Sequence, residues 1–156
     1  MKEYTGYHGL SLGKDAVLQC MPKSDFIREQ GHGKWFGEGI YLFSNVNTAY
    51  HYSRYHVTPN EYPIVATLVV SGEGLDLTTE IDEQRLKALL NLHEIFCNEK
   101  NKASTRKGFC DFVVKSGFNI IKNRVTKLDD LSEFIECVQI FASNIGCIKS
   151  ITQAII

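Results

Sequence analysis

No stretch of this sequence is apolar for long enough to span a bilayer as a helix. The opening residues, MKEYTGYHGL, lack the apolar core of a secretory signal. A cytoplasmic chain without membrane association is therefore expected. Neither sign of charge is in excess: 17 Lys and Arg stand against 18 Asp and Glu, a net charge of −1, so a wholesale basic surface for nucleic acid is missing. The 5 cysteines are odd in number and form no CxxC pair. A disulfide framework or zinc knuckle is a poor reading of them, and reduced thiols fit better. The histidines show neither HExxH nor another ligand pair, so no metal is expected. Internal repeats, low-complexity tracts and Pro/Ser-rich linkers are all missing, so nothing marks a domain boundary.

What is present is globular composition, 44% hydrophobic and 22% charged over 156 residues. That supports one core and a single domain over 1–156. Alternating aromatics predict a short strand over 4–8, and 13–20 reads as a short helix. Pro22, Gly31, Gly33 and their polar neighbours make 21–35 a loop. Gly39–Phe43 is a short apolar strand, after which Asn45 can cap a helix running to about 56. The near-continuous apolarity of 63–70 predicts a strand buried on both faces. Over 79–98, Ile81, Leu86, Leu89, Leu90, His93 and Phe96 recur at helical spacing behind a Thr79 cap. A second helix over 104–116 stops at Gly117, and strands follow over 118–121, 134–141 and 147–151, the last two joined by a turn at Ser143, Asn144 and Gly146. Helices between two sets of short strands predict a mixed α+β domain and not a repeating βαβ fold. The basic stretch Lys100, Lys102, Arg106 and Lys107 reads as a solvated loop or as a local contact to an anionic substrate.

Three segments carry chemistry. In the first, Tyr7-His8-Gly9, a histidine can offer one ring nitrogen to a ligand while backbone fixes the other. The glycine, without a Cβ, lets a flat amide ligand reach its N–H and C=O. In the second, Gly37 and Gly39 free the backbone before a strand carrying Tyr41, whose ring can stack on a heteroaromatic ligand. The residues that follow are Thr48, Ala49, His51 and Tyr52, of which the last two are candidates for the far side of a ring sandwich. In the third, Glu136 and Gln139 lie within an apolar strand, where a polar group needs a reason to be. Their odd spacing puts them on opposite faces of a regular strand. The structural alternatives are a core histidine beside glycine, a glycine turn feeding a core strand, and an edge strand with one wet face.

Together these segments resemble the ADP-ribosyltransferase superfamily, on the side of the poly(ADP-ribose) polymerases and diphtheria-type toxins. The matches are His8-Gly9, then Gly37-Glu38-Gly39-Ile40-Tyr41 with Thr48-Ala49, and then the late strand before Ile148-Lys149-Ser150. Leu10 stands where that family has a small hydroxyl residue, with Ser11 directly after it. Aligning by the downstream turn puts Gln139 at the family's glutamate position, whereas aligning by chemistry puts Glu136 there.

The resemblance implies a split β-sheet core with flanking helices and NAD as co-substrate. It implies His8, Tyr41 and either Gln139 or Glu136 in catalysis, with His8, Gly9, Gly39, Tyr41, Thr48 and Tyr52 around the dinucleotide. The activity implied is mono-ADP-ribosyl transfer to a macromolecule, as in a bacterial or phage toxin or effector with an antitoxin or immunity partner. Two alternatives stay open: a catalytically silent module that binds NAD or ADP-ribose, and an NAD glycohydrolase. A carboxylate would stabilise the oxocarbenium character that develops on the ribose, and a neutral Gln would do so less.

Overall fold

The computed structural model describes residues 2–28, 38–55, 57–125 and 137–155. The strand expected over 4–8 is longer, β1 (Lys2–Leu12), because a partner of equal length accompanies it throughout. That partner is β4 (Tyr62–Gly72), antiparallel, with Lys2 opposite Gly72 and Leu12 opposite Tyr62. On the far side of β4 lies β8 (Ile148–Gln153). Beyond β1 come β3 (Gly39–Phe43), β7 (Cys137–Ala142), β6 (Ile120–Val125) and β5 (Gly74–Asp76), and a short β2 (Ile27–Arg28) pairs with β3. Among the described residues this is one eight-stranded sheet, parallel only between β5 and β6. With three helices, the class is mixed α+β. The strands expected around the Ser143–Asn144 turn do not pair: β7 and β8 are separated in the sheet by β3, β1 and β4.

Alternation along the strands sorts the core onto two faces. On one, Ile40, Leu42, Ala66, Leu68, Ile140 and Ala142 pack with Phe26 and Leu18. On the other, Phe43 and Val65 pack under Ala49 of α1 (Val46–Tyr55), and Tyr41, Ile121 and Phe141 pack under Cys110 and Val113 of α3 (Arg106–Lys115). Asn45 caps α1 as expected, its Oδ1 accepting from Asn47 N–H at 2.8 Å and Thr48 N–H at 3.2 Å. Gly117, at φ +104°, follows α3 in a conformation that favours glycine.

Three expectations are corrected. The helix over 13–20 is only a single 3-10 turn, Leu18–Cys20, because only Leu18 of that segment is buried. The loop over 21–35 contains a 3-10 turn, Lys23–Phe26, and β2, anchored by the fully buried Phe26. The long helix is present as α2 (Glu80–Glu99), with Thr79 accepting from Asp82 N–H. Its inward stripe is Asp82, His93 and Cys97, with Leu86 and Leu89 half-buried. Ile81, Leu90 and Phe96, three of the residues recurring at helical spacing, are exposed. A helix whose apolar residues cover most of its circumference does not reveal which arc meets the sheet.

Candidate functional site

The first and second segments converge where β1 leaves β3. The two strands share one registered pair, Tyr7 with Phe43. Along the same edge of β3, β2 takes over, Ile27 opposite Ile40 and Arg28 opposite Gly39. The other edge belongs to β7, from Ile40 opposite Ala142 to Phe43 opposite Gln139. Tyr41 therefore sits between the β1 contact and the β2 contact, and the His8 ring meets its carbonyl, Nδ1 to oxygen, at 3.2 Å.

A carbonyl oxygen only accepts, so Nδ1 carries the hydrogen and the other nitrogen of the neutral ring accepts. Nε2 lies 3.3 Å from Nη2 of Arg28, which has hydrogens to give. The Phe26 ring stands edge-on at 5.3 Å and completes the enclosure. Burial lowers the His8 pKa from 6.5 to about 4, the Arg28 charge adds to the lowering, and the bond to the Tyr41 carbonyl works the other way. His8 is thus a neutral clasp joining β1, β2 and β3. Arg28 is held by its Nη1 donating to the carbonyls of Asp25 at 2.7 Å and Ile27 at 3.0 Å. The sequence reading passed over Arg28 as part of a loop. The only signal for it was a cation directly after Phe26-Ile27 in a polar stretch.

The two glycines serve packing. A Cβ on Gly9 would lie 2.3 Å from the Ala49 carbonyl oxygen and 3.0 Å from Ser53 N, so glycine is required there by the approach of α1. The bare side of Gly9 faces this helix, contrary to the expectation that it opens onto a flat ligand; a ligand at Gly9 would meet the strand's backbone edge instead. A Cβ on Gly39 would lie 2.2 Å from the Phe141 ring and 2.7 Å from the Ala142 carbonyl oxygen. Gly37 lies outside the described residues.

Tyr41, only 6% exposed, leans on Phe141 with ring centroids 5.1 Å apart. Its side chain shares a face with Gly9, while the His8 side chain leaves the opposite face beside Phe26. Gln139, also 6% exposed, belongs to the Tyr41 face: Tyr7, Phe43, Gln139 and Asn123 are register partners in turn across four strands. Tyr41 is its diagonal neighbour, a spacing typically of about 7–8 Å between strands. On α1, the half-buried Tyr52 ring is 5.9 Å from Phe43, and Thr48 is half-buried near the helix start. His51 is exposed beside Tyr55 and does not join the group. Glu136 lies outside the described residues.

A second buried histidine, His93 of α2, is satisfied within the core, its ring nitrogens each 3.4 Å from Cys97 Sγ and Ser104 Oγ and its ring against Phe109 and Phe112. Among the described residues no group of three or more His, Cys, Asp or Glu could hold a metal ion, and no helix is long and apolar enough to cross a membrane. No family model, curated protein or solved structure matches the chain.

Proposed function

We propose that this chain is an NAD-binding domain of the ADP-ribosyltransferase kind, its sheet parted between β1 and β3, and that its activity is mono-ADP-ribosyl transfer to a macromolecule. The observation that carries the reading is the convergence of segments far apart in sequence at that parting. His8 and Gly9 stand on one strand, Gly39 and Tyr41 on the next and Gln139 on the one beyond, with Tyr41, Gln139 and Tyr52 of α1 on one face of the sheet and the His8 side chain on the other. Under this reading the Gly9 backbone edge holds the nicotinamide carboxamide, the Tyr41 ring stacks on the pyridine and His8 takes a ribose hydroxyl. Arg28, the cation at the His8 ring, suits the dinucleotide's phosphates. NAD supplies the glycosidic bond that breaks. The chain's part is to orient the ribose and exclude water.

A second reading, a module that binds NAD or ADP-ribose without efficient turnover, is favoured by one specific observation: the group beside Tyr41 on its own face is an amide, Gln139. An amide can hold a hydroxyl but gives a developing oxocarbenium ion little charge stabilisation.

The test uses adenine-labelled NAD with cell lysate, reading free nicotinamide and label on macromolecules. A thermal melt with NAD runs in parallel, since a ligand that binds only the folded state stabilises it. Transfer predicts both nicotinamide and bound label, hydrolysis nicotinamide alone, and the silent module a melt shift with neither. Tyr41→Ala removes most of the shift by deleting the stacking surface. A melting curve unmoved by millimolar NAD sinks all three versions. If Glu136 supplies the charge, Glu136→Gln lowers turnover on the order of 100-fold with binding intact. If Gln139 holds the position, Glu136→Gln does little and Gln139→Glu raises NAD cleavage.

A further inference from the structure

The outward arc of α2 presents an apolar stripe to solvent. Leu92 and Ile95 are each 55% exposed, Phe96 is 46% exposed and Ile81 is 69% exposed, with the exposed Ala88 between them. Spacings of three and four residues keep Ile81, Arg85, Ala88, Leu92, Ile95 and Glu99 on one side of the helix. The adjoining arc, with Asp82, His93 and Cys97, is already buried against the sheet side of the domain. A contiguous apolar strip of this kind, with single charges set into it, marks a docking surface more often than an ordinary monomer surface.

Lys100 lies over Phe96 at the stripe's border, its Nζ 5.9 Å from the ring centre, and the two charges on the line of the stripe itself indicate what covers it. Arg85 precedes Leu92 by the same number of residues as Glu99 follows it, about 10 Å of helix each way. A two-fold axis through Leu92 therefore lays Arg85 of one helix on Glu99 of an antiparallel copy, twice over. It also places Leu92 on Leu92 and Ala88 against Phe96, a small residue against a large one. A parallel pair would instead set like charges together. The Arg85 side chain is 61% exposed and bonds Asp82 at 3.1 Å through one Nη only, leaving donors for a second carboxylate.

We propose that the outward face of α2 is a self-docking surface, on which a second copy of this chain packs antiparallel about a two-fold axis at Leu92. Such an interface is isologous, so one patch serves both subunits. The inference is independent of the proposed NAD site, which lies on other elements.

Sedimentation velocity of the full chain across a wide concentration range tests it. The wild type is expected to show a concentration-dependent dimer. Leu92→Glu, whose solvent-facing position spares the core, should weaken self-association roughly thirtyfold or more, as for a central interface anchor. Arg85→Glu and Glu99→Arg should each weaken the dimer severalfold, and the two together should restore it. Circular dichroism melts confirm that each variant folds. A wild type monomeric at every concentration overturns the proposal and leaves the face to a different protein. A dimer indifferent to Leu92→Glu overturns it too, and a double charge swap that fails to restore association overturns the antiparallel register.

Discussion

The His8 clasp makes stability depend on pH in a way that can be isolated from every other titrating group. Its pKa is about 4 in the folded chain, against an ordinary 6.5. Above 6.5 neither the folded nor the unfolded state carries a proton here. As pH falls below 6.5 the unfolded chain takes one up while the folded chain refuses it until about 4. The folded state therefore loses relative stability across that window, and below it the loss levels off. Each pH unit carries about 1.4 kcal/mol, so the whole loss is about 3 kcal/mol. That is a large share of a typical domain's total of about 5–15 kcal/mol. His8→Gln keeps an amide N–H within reach of the Tyr41 carbonyl and has nothing to titrate. Urea unfolding of both proteins from pH 7 to pH 4 cancels the carboxylates they share. The wild type's advantage over the variant should shrink by about 3 kcal/mol over that range, and the His8 ring resonances should stay those of a neutral, Nδ1-protonated imidazole down to about pH 4. Parallel stability curves, or a His8 ring that titrates near 6.5, would refute the burial argument.

Two further substitutions probe the same neighbourhood. Gly9→Ala forces a Cβ into the Ala49 carbonyl, so α1 must lift from β1, at a cost of about 1–3 kcal/mol of unfolding free energy read from urea curves. A variant as stable as wild type would mean that the close approach of α1 is not needed. Phe26→Ala removes a fully buried ring that seals His8, at a cost of about 3–5 kcal/mol. Because burial is the larger cause of the lowered His8 pKa, the same variant should return that pKa towards 6.5, as read by NMR titration.

Much of the fold was legible because its signals are local. Asn45 and Thr79 are side chains that cap their own helices, and the apolar run in β4 leaves a strand little alternative. What was not legible is set by partners distant in sequence. The ends of β1 follow from its pairing with β4 fifty or more residues away, which holds polar Lys2 and Glu3 in the sheet against their local preference. The buried arc of α2 is chosen by what lies beneath it, because Ile81, Leu92, Ile95 and Phe96 offer a second arc as apolar as the first. That same ambiguity is what exposes a stripe for docking.

The site was legible in its residue types more than in its arrangement. His8-Gly9 and Gly39 with Tyr41 were singled out, and they meet. Both described glycines are explained by close packing, however, and the His8 ring by a clasp that includes an arginine read as loop. The clasp constrains what a ligand at His8 can be. A group that takes His8 Nε2 must displace Arg28, and a neutral ligand would leave that guanidinium, among the described residues, with the backbone carbonyls of Asp25 and Ile27 to face. A ligand carrying phosphates beyond its ribose gives the displaced cation a new partner, and charge-assisted hydrogen bonds to phosphate are stronger than the bond to imidazole that is lost. Under the proposed function the intact dinucleotide should therefore bind better than nicotinamide riboside by more than added surface alone explains, because its anionic half compensates for opening the clasp.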